Sequence, residues 1–345
     1  MKHIFSIFLA VVLSLGALSS CGQDGDEKAA SLREDFLEKA SSVTVNEDSV
    51  TFTDASGRES VTLQKNPERV VILYASLTTL WYEAGGEVVG CIGADTSVEL
   101  YNEHIGRDIT VEDGMSVVST SAVSKSWDIE KIIALEPDLI ICSTAMGGYD
   151  TIKEPARVAD IPVIAAEYDD FADYLKWFKI FCHLNSRPDL WESVALKALD
   201  EVTAVLAEIE QNSPPTVLCI FSGTKSLSAN TSHTVLGEMI TAMGALNVAD
   251  ADYTRFGYST ERIPINLETV YAADPDIILV QTHAGVGAAM EHIERVYGNN
   301  PVWQSLRAVK EGRVVLLNKE LFHNKPNSKF ADAYEELAEI LYPTK

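Results

Sequence analysis

The segment RPDLWESVALKALDEVTAVLAEIEQ, residues 187–211, predicts one long amphipathic helix. Its apolar residues, from Leu190 to Ile209, recur at steps of three and four, which places them on one helical face. Pro188 suits the first turn, and the Pro-Pro pair that begins at Pro214 ends the pattern. A helix of about 25 residues is roughly 37 Å long, because each residue rises about 1.5 Å. We therefore expect a rigid helix that connects two halves of the protein.

The sequences on either side of this helix repeat each other. Residues 129–141 read IEKIIALEPDLII, and residues 267–279 read LETVYAADPDIIL. Each predicts a short helix, a Pro-Asp break and an apolar strand, and a similar strand opens each half at residues 69–74 and 216–221. Continuous apolar strands that alternate with helices indicate parallel sheets covered on both faces. The predicted fold class is α/β: two Rossmann-like lobes with parallel sheets, joined by one long rigid helix, with a ligand cleft between the lobes.

The amino terminus predicts export and lipidation. Lys2 precedes an apolar run over residues 4–18, which is too short to span a bilayer as a mature helix. The run ends in Leu18-Ser19-Ser20-Cys21, which resembles a bacterial lipobox. Cys21 is therefore the expected lipidation site, and the expected location is extracytoplasmic, anchored to the cell membrane. The alternative is an ordinary secretory signal whose cysteine is accidental.

These patterns divide the chain into consecutive parts. The expected parts are a signal peptide (1–20), a lipidated polar tether (21–46), an N-terminal α/β lobe (47–168), connecting helices (169–213, with the interlobe helix at 187–211) and a C-terminal α/β lobe (214–345).

Charge and cysteine content narrow the function. The net charge is −24, from 27 basic and 51 acidic residues, so nucleic acid is excluded as a general partner. A small anionic ligand is not excluded, because it responds to the local field of a cleft. The cysteines after Cys21 lie at spacings unlike those of a metal site, which favours buried free thiols, although the sequence leaves their pairing open: Cys91, Cys142, Cys182 and Cys219.

The chain resembles the helix-linked substrate-binding lipoproteins of ABC importers that carry ferric siderophores, haem or cobalamin. The resemblance runs from DASGR at residues 54–58 to the carboxyl terminus. It is carried by PERVV at residues 67–71, by both Pro-Asp repeats, and by NPVW at residues 300–303 with the AVKEGRV that follows. It implies limited closure on ligand, delivery to a permease and its ATPase subunits, a monomer, no cofactor of its own and no enzymatic activity.

Candidate ligand contacts lie on loops at the carboxyl ends of the predicted strands, where open parallel sheets bind ligands. Cationic heads suit the carboxylates of a siderophore or haem, and aromatic rings suit a macrocycle or catechol. The candidates are Lys125, Trp127, Met146, Tyr168, Lys225, Tyr258, Arg262, His283, His323 and Lys325. Solvated surface charges and core aromatics are the alternative interpretation.

His283 is the candidate for direct iron ligation. It follows a buried strand and precedes Ala-Gly, so its imidazole should stand at the floor of the cleft. The resemblance implies this role, because haem-binding relatives use histidine or tyrosine as axial ligand, and neutral imidazole suits iron. A hydrogen-bonded structural histidine is the competing interpretation. Met146 and His323 are possible opposing ligands.

The resemblance also implies one acidic docking residue per lobe, which engages permease arginines. Asp150 and Glu154 are the first-lobe candidates. In the second lobe the matching loop reads Ser232-His233-Thr234, and only Glu238 lies near. Ordinary exposed acids with no docking role are the alternative for all three.

Other functions fit the sequence less well. A corrinoid carrier of the same family stays open, as does the choice among catecholate, hydroxamate and haem. Ser222 and Lys225 match a Ser-x-x-Lys pattern, but the companion motifs of such hydrolases are absent. A free zinc or manganese carrier would need several histidines that converge with carboxylates. A purely structural surface lipoprotein is the remaining alternative, and tight binding of an iron chelate would exclude it.

Overall fold

The computed structural model describes residues 20–58, 60–121, 124–144, 147–209, 213–223, 226–282, 286–322 and 324–343. Helices in the first half are α1 (Ser20–Ser41), α2 (Ala75–Glu83), α3 (Asp95–His104), α4 (Ile129–Ala134), α5 (Gly148–Val158) and α6 (Phe171–Leu184). Helices after the connecting helix span Val235–Ala242, Ala249–Phe256, Leu267–Ala273, Val286–Tyr297, Pro301–Ser305, Arg307–Lys310, Lys319–Phe322 and Phe330–Leu341. Short 3₁₀ turns span Ile109–Val111, Ser124–Ser126 and Asn327–Lys329.

The first half carries a small antiparallel sheet and a five-stranded parallel sheet. The small sheet pairs β1 (Thr44–Val45), β2 (Ser49–Phe52) and β3 (Val61–Gln64) in that order. The large sheet has the order β6-β5-β4-β7-β8, with all its strands parallel. Its strands are β4 (Val70–Ile72), β5 (Gly90–Ile92), β6 (Ser116–Ser119), β7 (Leu139–Cys142) and β8 (Val163–Ala165). Strands β4 and β7 are fully buried, as their unbroken apolar runs predicted.

The second half carries a mixed sheet, which differs from the parallel sheet that the sequence predicted. Its strands are β9 (Thr216–Ser222), β10 (Leu227–Asn230), β11 (Leu246–Asn247), β12 (Arg262–Pro264), β13 (Ile277–Thr282) and β14 (Val314–Leu316). The order is β12-β10-β9-β13-β14, and β11 also pairs with β9. Strands β11, β9, β13 and β14 are parallel, and the parallel pairing of β9 with β13 agrees with the prediction; β11 was not predicted, and β10 runs antiparallel to β9 and β12. Gly223 N donates to Ser226 O at 3.0 Å, which brings the chain back beside β9.

The connecting helix is continuous from Pro188 to Glu208. It is α-helical over Pro188–Leu190 and Lys197–Glu208 and π-helical over Trp191–Leu196. Helical backbone ends before Ile209, which is extended, so the helix stops short of the predicted end at Gln211. Its buried face packs on a single core cluster that reaches the sheets of both halves: Ala195, Ala198, Leu199, Val202 and Leu206. Two smaller clusters cover the outer faces of the two sheets.

The residues predicted as a polar tether form helix α1 over most of their length. Phe36 packs edge-on against Phe171 of α6, with ring centroids 5.3 Å apart. Lys28 Nζ donates to Ile209 O at 3.0 Å, and Lys39 Nζ lies 2.6 Å from Asp170 Oδ2. Leu32, Phe36 and Leu37 form the packing face of this helix, and tertiary contacts rather than length stabilise it. Among the described helices, none combines the length and apolar content needed to cross a membrane.

The four cysteines after Cys21 are buried and free, which agrees with the free thiols that their spacings favoured. Burial raises the pKa of Cys91 to about 12, and it raises the pKa of the other three still further: Cys142, Cys182 and Cys219. High thiol pKa values leave little reactive thiolate at neutral pH.

Candidate functional site

A cavity of about 350 Å³ lies between the two halves. The first half contributes acids that follow β8 at the carboxyl edge of its parallel sheet, and the second half contributes residues from the turn after β10, from two helices and from the loop before β12. The lining residues are Asp169, Asp170, Ser232, His233, Glu238, Tyr253, Ser259 and Glu261. We call this the interlobe cavity. Because both halves supply walls, a ligand bound there would contact both.

The interlobe cavity is acidic. Burial raises the pKa of Glu238, and the nearby carboxylate of Asp170 raises it further. Burial likewise raises the pKa of Glu261, and Asp169 adds to the effect. Asp170 also accepts the backbone N–H of Asp173 at 2.6 Å and so caps the start of α6.

His233 and Tyr253 form an aromatic pair in the wall of the interlobe cavity. Their ring centroids lie 4.4 Å apart, with the planes tilted by 41°. Tyr253 is half-buried and His233 is exposed. The pair provides a flat face beside the carboxylates, which suits a ring or a cationic group.

Lys325 connects the second half to the first beside this cavity. Its ammonium lies 3.2 Å from Asp169 Oδ1 and 3.5 Å from Glu167 Oε1, and it donates to the carbonyl oxygen of Tyr168. Burial alone would lower the pKa of Lys325, but Asp169 and the other negative neighbours outweigh it and raise that pKa. The predicted ligand contact is thus engaged in an ion pair between the halves.

Arg262 lies on β12, next to Glu261. Its guanidinium stands 4.0 Å over the ring of Phe221, and Nε donates to Asn230 Oδ1 at 2.9 Å. The side chain of Asn230 in turn donates to Gln281 Oε1 at 2.8 Å. Arg262 is exposed as a residue, but the protein around its guanidinium partly desolvates the charge and lowers its pKa. The predicted cation is thus held on the flank of the second sheet.

Two of the predicted aromatic walls are core residues, which corrects the expectation. Tyr168 is fully buried, and its hydroxyl donates to Asn327 Oδ1. Trp127 is buried in the core of the first half, where its indole N–H has no hydrogen-bond partner within the described part of the chain. Tyr258 is half-buried and packs edge-on near Phe256, with centroids 6.1 Å apart. A position after a strand does not determine which way a ring points, and here the rings of Tyr168 and Trp127 are enclosed.

The predicted docking acids fall into two environments. Asp150 pairs with Lys153 at 2.5 Å and Glu154 with Arg157 at 2.7 Å, and both carboxylates are largely exposed on α5. Glu238 instead lines the interlobe cavity. Lys125 is exposed on the turn Ser124–Ser126.

Several candidates fall outside the described residues: Met146, Lys225, His283 and His323. Cys21 falls in the first turn of α1. Within the described ranges, no group of three or more His, Cys, Asp or Glu side chains is placed to hold a metal ion.

Most residues of the cavity walls were not predicted from the sequence. Asp169, Asp170, His233, Tyr253 and Glu261 were not among the predicted contacts. The available signal was weak: an Asp-Asp pair directly after a predicted strand, and an acid next to Arg262 in a polar, aromatic loop. Such acids are common on any surface of so acidic a protein.

Comparisons with known proteins agree with this architecture. The chain is 26% identical to the uncharacterized ABC transporter substrate-binding lipoprotein YvrC of Bacillus subtilis, over 99% of this chain and 98% of that protein. It is 25% identical to the Fe(3+)-citrate-binding protein YfmC of the same organism, over 89% of this chain and 86% of that protein.

A solved structure shares the fold. The haem complex of S. aureus IsdE superposes with a TM-score of 0.62 at 16% identity, over 79% of this chain and 98% of that one. Residues 70–321 match the sequence profile of the periplasmic binding proteins. That range covers most of the chain and both sheets from β4 to β14, and the protein therefore belongs to the periplasmic binding protein family.

Proposed function

We propose that this protein captures an iron chelate, a ferric siderophore or haem, between its two halves and delivers it to an ABC permease. The observation that carries the proposal is the interlobe cavity, which both halves line, in a fold matched over most of the chain by substrate-binding relatives. YfmC is named for binding ferric citrate, and IsdE was solved with haem, which supports iron complexes as the ligand class.

The structure favours capture with little movement. The connecting helix packs on one core that reaches both sheets, and Lys325 ties the second half to Asp169 of the first. Asn327 Nδ2 adds a hydrogen bond to Thr79 Oγ1 at 2.8 Å. A large hinge rotation would break these buried contacts, so ligand binding should be accompanied by small closure.

The same proposal includes the location and the docking. Cys21 carries the lipid, the protein works as a monomer on the extracytoplasmic side of the membrane, and Asp150 and Glu154 engage the permease. The double variant Asp150→Ala/Glu154→Ala should bind chelate normally but lose stimulation of the permease-coupled ATPase. Glu130→Ala, an exposed acid on α4, is the matched control, and equal stimulation by both variants would contradict this docking assignment.

Fluorescence titration of the purified protein tests the ligand class. The probes are haem, a ferric catecholate, a ferric hydroxamate and cobalamin, with quenching of intrinsic tryptophan as the signal. We expect saturable binding of at least one iron complex and none of cobalamin. Binding of cobalamin alone would assign a corrinoid carrier, and binding of no probe would overturn the proposal. If haem binds, an unchanged absorption spectrum in His283→Ala would exclude that residue as axial ligand.

A further inference from the structure

The charge of the interlobe cavity limits the charge of the ligand, which membership of the protein family does not specify. Four of the lining residues carry carboxylates, and among the described residues no lysine or arginine lines the cavity: Asp169, Asp170, Glu238 and Glu261. Two acids come from each half, so the carboxylates face one another across the space that a ligand would enter. An anion placed there would be repelled from both sides.

The lysines nearest these acids are already paired within the protein. Lys325 is shared between Asp169 and Glu167. Lys39, from α1, lies 2.6 Å from Asp170 and 2.9 Å from a second carboxylate, that of Asp173. Each lysine therefore faces two carboxylates, which leaves surplus negative charge around the cavity. A ligand anion would have to displace these internal pairs before it gained either lysine as a cationic partner.

The second-half acids are only partly compensated by cations: Lys39 and His233 act on Glu238, and Arg262 and Lys325 act on Glu261. Burial and neighbouring carboxylates raise the pKa of both Glu238 and Glu261. A raised pKa means that the negative charge of each acid is disfavoured at this site, so a nearby cation stabilises it and a further anion destabilises it. The face of Tyr253 lies in the same wall and offers a second favourable contact for a cation.

We propose that the interlobe cavity selects iron chelates that carry a cationic group, such as an alkylammonium, over polyanionic chelates, with Glu238 and Glu261 as the main selecting residues. This inference rests on the proposed function, because it names the charge class of the ligand at the same site. Ferric citrate and ferric tris-catecholates are accordingly expected to bind more weakly than a chelate with a free ammonium.

A matched pair of probes tests the selection. One probe is a linear ferric trihydroxamate with a terminal ammonium, and the other is the same chelate with that amine acetylated. They share the iron centre and nearly the same shape, and differ by one charge. We expect the ammonium form to bind about tenfold more tightly at low salt, with the preference shrinking as ionic strength rises. A ferric tris-catecholate should bind more weakly than either.

Two double variants assign the preference to the cavity. Glu238→Gln/Glu261→Gln should reduce the preference for the ammonium probe to about twofold. The control Glu192→Gln/Glu311→Gln removes the same charge from exposed positions outside the cavity and should retain the preference. Equal midpoints of urea unfolding would show that both variants are folded. Equal or tighter binding of the acetylated or catecholate probe by the native protein, or an undiminished preference in the cavity variant, overturns the inference and leaves the proposed function standing. Failure of every iron complex to bind overturns both.

Discussion

The two halves begin their central strands in the same way. Asp138 and Asp276, the acids of the two Pro-Asp breaks, each accept a backbone N–H from the start of the neighbouring strand, at 3.0 Å and 2.8 Å. In each half the residue before the proline has positive φ, 46° at Glu136 and 44° at Asp274. The repeated sequence therefore encodes a repeated turn, and β7 lies beside β4 as β13 lies beside β9.

The halves differ in what flanks those strands. In the first half β5 and β6 continue the parallel sheet, whereas in the second half β10 turns back along β9 and pairs with β12. The turns beside this antiparallel pair carry Ser232, His233, Ser259 and Glu261, which line the interlobe cavity. The repeated part therefore forms the scaffold, and the antiparallel part without a counterpart supplies the second-half wall of the site together with Glu238 and Tyr253 from two helices.

The largest loss of stability is expected from a substitution in the core that the two halves share. Leu199 of the connecting helix is fully buried in the cluster that reaches both sheets. Leu199→Ala should lower the free energy of unfolding by about 3–5 kcal/mol, because it leaves a cavity in that cluster. Urea unfolding measures the loss, and Val111→Ala, at an exposed position, serves as the control. A loss no larger than the control's would show that the shared core does not hold the halves together.

A smaller loss of stability is expected from a substitution at Asp54, whose buried contacts belong to the first half. Asp54 is buried and closes the edge of β8: it accepts Ala165 N at 3.1 Å and Ser56 Oγ at 2.6 Å, and pairs with Arg58. Asp54→Ala should cost about 2–4 kcal/mol, because these donors lose their acceptor. Asp35→Ala, at an exposed position on α1, is the matched control.

The pH dependence of this contact has a definite sign. Burial raises the pKa of Asp54, but Arg58, Ser56 and Ala165 N outweigh it, and that pKa is lowered overall. A lowered folded-state pKa stabilises the protein above the unfolded-state value, and the stabilisation is lost as pH falls through the folded-state value. The difference in stability between native protein and Asp54→Ala should therefore shrink between about pH 5 and about pH 3. A difference that grows in acid would contradict the assignment.

The smallest loss of stability is expected at Asp138 and Asp276, the equivalent acids of the two halves. Asp276 accepts Thr216 N and Thr216 Oγ1, both at 2.8 Å, and pairs with Arg307 at 2.9 Å. Asp138 is exposed and, within the described part of the chain, accepts only backbone N–H groups, from Glu68 at 2.6 Å and from Arg69 at 3.0 Å. Asp276→Ala should cost about 2 kcal/mol and Asp138→Ala about 1 kcal/mol in urea unfolding. Equal losses would mean that the extra partners of Asp276 contribute nothing.

The sequence predicted those features that a repeating pattern specifies. The connecting helix follows from a helical apolar period sustained over several turns, and the central strands follow from unbroken apolar runs. Strand β10, Leu227–Asn230, has a weak pattern and pairs only because the chain turns back beside β9. Helix α1 depends on packing against α6, which a single short apolar stripe does not reveal.

The site was less predictable than the fold for a similar reason. Arg262 and Lys325 were singled out by their charge, but their internal partners depend on long-range contacts: Lys325 meets Asp169 across more than 150 residues of sequence. The direction of the Tyr168 ring depends on the docking of the carboxyl-terminal segment, through Asn327. Neither the Lys325–Asp169 contact nor the Tyr168–Asn327 contact produces a periodic pattern in the sequence.

The core shared by the two halves also has a consequence for how the protein melts. The same apolar cluster reaches β4 and β7 in one half and β9 and β13 in the other, so unfolding of one sheet would expose apolar surface that the other sheet also buries. Despite its two large sheets, the molecule should denature in one cooperative transition, with equal calorimetric and van't Hoff enthalpies. A ligand that binds only the native form would then raise the melting temperature of the whole chain rather than of one lobe.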